Sequence, residues 1–199
     1  MSAPSTTSRG VIGWGMLTPR RAARVAVLDP AGSVFLFRYD NEEVGVHWAM
    51  PGGGLEAGED PRDGARRERR EETGWADLEP GPLLCTWEHD FTRAGVPVRR
   101  HEHIYLARGP RREPAGDVAA AHAEDRILHW RRRTRREPAA LADALWPPQL
   151  PTLLAGLPWA RTPHPEPVHL GFVPAGFVPD GATGRRAGDE FGRAAESAL

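Results

Sequence analysis

Glu68, Glu71 and Glu72 stand in the run Pro61-Arg62-Asp63-Gly64-Ala65-Arg66-Arg67-Glu68-Arg69-Arg70-Glu71-Glu72-Thr73. In a helix turning about 100° per residue, with Glu68 at zero, Glu71 falls near −60° and Glu72 near +40°. The three carboxylates therefore project from one side within an arc of roughly 100°. Like charges gathered so closely repel, and the arrangement persists when something cationic offsets them. Hard oxygen ligands on one rigid face suit Mg²⁺ or Mn²⁺, which keep several waters and take their remaining ligands from phosphate oxygens.

The flanking residues predict the element that carries them. Asp60 suits an N-cap, Pro61 the first helical position and Gly74 the left-handed residue past the last turn. Ahead of them Gly52-Gly53-Gly54 reads as a glycine-rich turn.

Taken together, these positions resemble the Nudix box. That motif reads Gly, five residues, Glu, seven residues, Arg-Glu, an apolar residue, any residue, Glu-Glu, any residue, Gly and an apolar residue. Here the pattern falls on Gly53, Glu59, Arg67-Glu68, Arg69, Arg70, Glu71-Glu72, Thr73, Gly74 and Trp75. Every charged and glycine position matches across these 23 residues, and Arg69 alone departs, standing where the family has an apolar residue. The resemblance implies an α/β/α sandwich of α/β (α+β) class, a mixed sheet flanked by helices. It also implies a Mg²⁺- or Mn²⁺-dependent hydrolase cleaving a diphosphate linkage in a nucleoside diphosphate joined to another group. In that reading Glu68, Glu72 and Glu71 are metal ligands, with Glu71 ligand or base, and the Gly53 carbonyl contributes to the metal site. Arg67 orients a box carboxylate, Glu59 holds the loop and Gly74 ends the helix. An acid outside the box serves some members; Glu102 is the strand candidate, and Asp117, Glu124 and Asp125 are the loop candidates. A silent module that binds a nucleotide or a protein partner is the alternative, but such a module would be free to lose box acids. A Nudix-fold isomerase fits the intact box poorly.

Arg69, near +100°, falls with Ala65 on the side that must pack against the sheet. A buried unpaired guanidinium is costly, so Arg69 should reach the rim, pair with an acid or reseat the helix. Some subfamilies carry a substrate-marking proline or tyrosine downstream. At the corresponding distance beyond Trp75 stand Asp90, Phe91, Thr92 and Arg93, and neither marker is present. The reading therefore leans only to a nucleoside triphosphate, oxidised or not, as the small-molecule substrate. Arg38, Trp48, Trp87 and Phe91 are candidates for contacting its phosphates or base, against ordinary packing for the aromatics.

Composition sets the wider frame. The 199 residues are 40% hydrophobic and 27% charged with a formal net charge of −1, room for one buried domain plus extensions. Near-neutral charge argues against a general nucleic-acid or membrane-surface binder. All 26 basic residues are arginine, and the runs Arg131-Arg132-Arg133 and Arg135-Arg136 read as a solvated face. Cys85 is the single cysteine and reads as a buried apolar one, and His47, His89, His101 and His103 lack a metal-ligand spacing. No apolar run approaches the length of a membrane span and no leader is evident, which predicts a cytoplasmic protein.

The chain divides into an arm at 1–20, partly mobile, a domain at 21–160 and a Pro/Gly-rich tail at 161–199. Val11 to Leu17 fits an edge strand or the arm of a homodimer. Arg24 to Leu28 and Val34 to Phe37 form a hairpin about Asp29-Pro30-Ala31-Gly32, and a loop at Asn41 to Gly45 leads to a strand from His47 to Met50. Leu83 to Phe91 and Val98 to Leu106 form a second pair, with Glu102, Ile104 and Leu106 on one face. Gly109 to Asp125 reads as loop, Ile127 to Trp130 as strand, and Glu137 to Leu145 and Gln149 to Leu154 as short helices about Pro147-Pro148. A near-repeat, Gly171 to Ala175 and Gly176 to Asp180, sits in the tail.

Overall fold

The computed structural model describes residues 18–41, 45–93, 96–134, 143–157 and 166–173. The arm before residue 18, Ala94-Gly95, most of the segment read as helix from Glu137 and the second copy of the near-repeat lie outside the described residues.

The elements run β1 (Thr18–Leu28), β2 (Val34–Asn41), β3 (Gly45–Ala49), β4 (Gly52–Gly54), α1 (Pro61–Thr73), β5 (Leu83–Arg93), β6 (Val96–Arg108), α2 (Ala119–Glu124), β7 (Ile127–Arg133), β8 (Ala144–Trp146), α3 (Leu150–Ala155) and β9 (Val168–Val173). The strands join in one mixed sheet, ordered β8-β3-β2-β1-β6-β5-β9, with β4 also on β1 and β7 also on β2. This is the α+β class expected. Asp29 closes the first turn by accepting the amides of Ala31 and Ser33 on its Oδ1, and Gly32 takes φ 80°. That turn hands over only Leu28↔Val34; β1 then runs parallel to β6 from Thr18↔Val98 to Leu28↔Arg108. Phe35, Phe37, Trp75 and Trp87, with the aliphatic residues of β1 and β6, fill the core.

Four local readings change. The glycine turn is strand β4, held by the pairs Ala22↔Gly54, Ala23↔Gly53 and Arg24↔Gly52; a Cβ at Gly52 would lie 2.3 Å from the Ala23 carbonyl oxygen, so only glycine permits the approach. The loop after Gly109 contains one turn of helix, α2. Ala144 and Leu145, read as the end of a helix, form strand β8 with Trp146, because these apolar residues meet the open edge of β3 in parallel register. Within the segment read as tail, Val168–Val173 forms β9, parallel to β5, where Val168 and Phe172 remain exposed.

Candidate active site

Helix α1 packs across β1 and β4 with little apolar surface of its own. Its buried residues are Gly64, Ala65, Glu68, Arg69, Glu72 and Thr73. Polar clasps hold it instead. Asp60 accepts from the Arg62 amide at 2.8 Å, and Gly74, at φ 72°, donates its N–H to the Arg70 carbonyl at 2.8 Å. Arg67 forms the central clasp. Its guanidinium donates to both oxygens of Glu59 at 3.0 and 2.9 Å, to Glu68 Oε1 at 2.9 Å, to Glu71 Oε2 at 3.2 Å and to the Gly54 carbonyl at 3.1 Å. The Arg67 bonds hold the Glu59 carboxyl below its usual range, and Glu59 in turn accepts from the Glu56 amide.

The three box carboxylates occupy different environments. Glu68 is buried against the backbone of Gly53, Glu72 is 1% exposed, and Glu71 stands at the rim with its side chain half exposed. Burial pushes the Glu68 carboxyl up, with Arg67 opposing the rise and the charges of Asp125 and Glu71 adding to it. Burial pushes Glu72 well above the carboxylate range, with Arg24 opposing and Asp125 adding. Two donors meet the Glu72 carboxylate, the Gly52 amide at 2.7 Å on Oε2 and the Tyr39 hydroxyl at 2.9 Å on Oε1. Among the loop acids, Asp125 is the one whose charge reaches both Glu68 and Glu72. Asp117 and Glu124 are exposed.

Hard oxygen donors in a poorly solvated setting suit a divalent cation, and the missing Cβ of Gly53 leaves room for the Glu68 carboxylate beside the backbone. In the arrangement seen, no group of three His, Cys, Asp or Glu among the described residues stands ready to enclose an ion.

Arg24, which sequence reasoning passed over, lies behind Gly52. Its Nε donates to Glu102 Oε2 at 3.0 Å, and its Nη1 donates to the carbonyls of Met50 at 2.9 Å and Gly52 at 2.8 Å. Glu102 is 3% exposed and also meets His89 Nε2 at 3.3 Å and Arg100 at 3.7 Å. Burial alone would raise its carboxyl; Arg24, His89 and Arg100 reverse that and hold it well below the usual range. The only early signal for Arg24 was a charged residue between Ala22-Ala23 and the apolar run Val25 to Leu28.

Arg24 and Glu102 also line a small cleft with Asn41, His47, His89, Arg100 and Trp146. His47 Nδ1 donates to the Gly45 carbonyl at 3.1 Å when the ring is neutral, and burial lowers its pKa to about 4. The other expected substrate residues stand elsewhere. Arg38 forms a two-pronged bond to Asp143, at 2.8 and 3.3 Å, Trp48 is buried under the guanidinium of Arg131, and Trp87 is a core residue stacked on His89. Phe91 lies on β5 opposite Val98. Burial raises Cys85 to about 12, as befits a core thiol.

Arg69 is 0% exposed, and none of its three guanidinium nitrogens has a hydrogen-bond partner among the described residues. It neither reaches the rim nor bonds an acid. Burial lowers its pKa, and the charge of Glu79 only partly opposes this. No described helix is long and apolar enough to cross a membrane.

The chain is similar to known proteins in sequence and in fold. The sequence profile of the NUDIX domain matches residues 18–155. An RNA pyrophosphohydrolase of Dinoroseobacter shibae is 50% identical over 58 residues, 29% of this chain and 35% of that protein. An RNA pyrophosphohydrolase of Bartonella henselae is 32% identical over 88 residues, 41% of this chain and 51% of that protein. The chain thus spans about half or less of the length of these curated relatives. In fold it resembles the MutT protein of Methanosarcina mazei, with TM-score 0.53 at 13% identity, over 70% of this chain and 93% of that one.

Proposed function

The chain belongs to the NUDIX domain family, and from that membership we propose that it hydrolyses a diphosphate linkage in a nucleoside diphosphate bearing a further group. The observation that carries the reading is the Glu72 carboxylate. It is buried on the face it shares with Glu68, and a backbone amide and a tyrosine hydroxyl each donate to one of its oxygens and fix its orientation.

Attack of water on phosphorus asks a protein to position groups and offset charge. Glu68, Glu72, Glu71 and the Gly53 carbonyl would hold Mg²⁺ or Mn²⁺, which when bound supplies charge neutralisation at phosphate oxygens and a more acidic water. The protein's own part is orientation. Arg67 ties Glu68 and Glu71 to the Glu59 loop, so one guanidinium sets two of the box carboxylates. Glu71, half exposed at the rim, is the box carboxylate open to the attacking water and takes its proton when it is not itself a ligand. In this reading the nucleoside lies at the mouth of the cleft that Arg24, Arg100 and Trp146 help to line. Residues 21–160 are in this reading the catalytic domain.

The preferred substrate is a nucleoside triphosphate, oxidised or not, and the RNA pyrophosphohydrolases that the chain resembles add a phosphorylated RNA end to the candidates. The test is phosphate or pyrophosphate release, with Mg²⁺ or Mn²⁺, from a panel of nucleoside triphosphates, oxidised nucleotides and a 5′-triphosphorylated oligoribonucleotide. Glu72→Gln should lower turnover by about 10²-fold or more. Turnover of none of these compounds, or turnover indifferent to Glu72→Gln, would sink the assignment.

A further inference from the structure

The Gly52 amide that meets Glu72 does not point there by chance of the turn. Residues 50–52 are pulled onto β1 by three contacts that converge on one side chain and its neighbour. Arg24 Nη1 takes the carbonyls of Met50 and Gly52, and the Val25 amide takes the carbonyl of Pro51 at 2.9 Å. With all three carbonyls engaged on the β1 side, the Gly52 N–H faces α1 and finds Glu72 Oε2 at 2.7 Å. The Arg24 guanidinium also sits 5.5 Å from the centre of the Tyr39 ring, whose hydroxyl donates to the other oxygen of Glu72. Both donors to Glu72 thus rest on Arg24.

Glu102 completes the set from the far side. Its Oε2 holds Arg24 Nε, while His89 and Arg100 occupy Oε1. A carboxylate locked among three cationic or donor groups is a poor proton acceptor and a good anchor.

We propose that Arg24 is a positioning residue for the hydrolytic centre, orienting the Glu72 carboxylate through the Gly52 amide and Tyr39, and that Glu102 is its counter-ion rather than the base. This rests on the reading of Glu72 as part of that centre. The sidedness follows from reach: Arg24 is committed to Glu102 and two carbonyls, so it acts on the substrate through Glu72 rather than by contact.

Two measurements test it. Arg24→Lys keeps the charge but cannot span Glu102, Met50 and Gly52 together; it should lower kcat by about tenfold or more with KM changed by under about threefold. In the Glu72→Gln background the same substitution should cause no further loss, because the two act as one unit. Tyr39→Phe, which keeps the packing, should show the same pattern to a smaller degree and covers the case in which Arg24→Lys does not fold. Glu102→Gln, still an acceptor for Arg24, should cost under about tenfold, well short of the loss in a missing general base. The second measurement needs no turnover: the Gly52 amide proton, short-bonded to a carboxylate, should resonate far downfield in the ¹⁵N-labelled protein and move upfield in Arg24→Lys. A Gly52 resonance unmoved by Arg24→Lys, additive losses with Glu72→Gln, or a Glu102→Gln loss as deep as that of Glu72→Gln would overturn the inference. A wild-type protein without turnover but with the shifted Gly52 resonance would overturn only the proposed reaction.

Discussion

Gly53 and Glu68 are in such close register that a methyl group on Gly53 would lie 2.7 Å from both Cδ and Oε2 of the Glu68 carboxylate. β4 contributes no side chain there, and the glycine is what lets a helix carboxylate rest on the strand backbone. The close approach is therefore a constraint on where Glu68 points.

Gly53→Ala turns that constraint into an experiment. The obstructed atoms are the far end of a flexible side chain, so the fold accommodates the methyl group by turning Glu68 aside. Stability should fall by only about 1 kcal/mol, while turnover should drop by about 10²-fold as the carboxylate leaves its position. Urea melts and steady-state rates on the same preparation separate the two. A variant that melts like the wild type and turns over at the wild-type rate would show that the position of Glu68 is not critical.

Much of this region was legible because its signals are local. Asp60, Pro61 and Gly74 act on their own turn of helix, and α1 starts and stops where they predict. The shared face of Glu68, Glu71 and Glu72 follows from helical periodicity alone. What was not legible depends on partners distant in the chain. Arg24 gains meaning from Glu102, 78 residues away, through the parallel pairing of β1 with β6. Ala144–Trp146 carries a pattern that either a short helix or a strand tolerates, and the free edge of β3 decided it. Arg38 looked like a phosphate ligand until Asp143 claimed it.

Arg69 supplies a stability prediction. Its guanidinium is fully buried without a hydrogen-bond partner among the described residues. Arg69→Leu removes the desolvated charge and leaves a small void, and the first effect is the larger. The expected gain is about 2 kcal/mol, or roughly 4–8 °C in melting temperature for a chain of this size. Calorimetry checks it. An unchanged or lower melting temperature would mean that the guanidinium finds compensation in solution.

His47 supplies a pH dependence. Burial lowers its pKa to about 4, against 6.5 for the free side chain. Between those values the unfolded chain binds a proton that the folded chain refuses, so stability falls as pH drops through the window from 6.5 toward 4. Over pH 7 to 5 this one group should remove about 2 kcal/mol. His47→Phe keeps a ring beside Tyr39 and Trp146 but cannot titrate. Its urea midpoint should decline less between the two pH values than that of the wild type. Equal declines in both proteins would remove His47 from the acid response.

Divalent cation binding can be read without any substrate. In the folded chain Glu68 and Glu72 are desolvated near Asp125, a charge arrangement that a cation relieves. Mn²⁺ added to EDTA-treated protein should raise the melting temperature in a saturable way, by about 2.7 kcal/mol of stabilisation at a hundred times its dissociation constant. Two variants bracket the effect. Glu68→Gln removes a donor that the Gly53 cradle holds in place, and most of the stabilisation should go with it. Glu79→Gln changes an acid on the far side of α1, bonded to Arg66, and should leave the Mn²⁺ response intact. Equal Mn²⁺ shifts in the wild type and Glu68→Gln would place the cation away from these carboxylates, whatever the enzyme turns over.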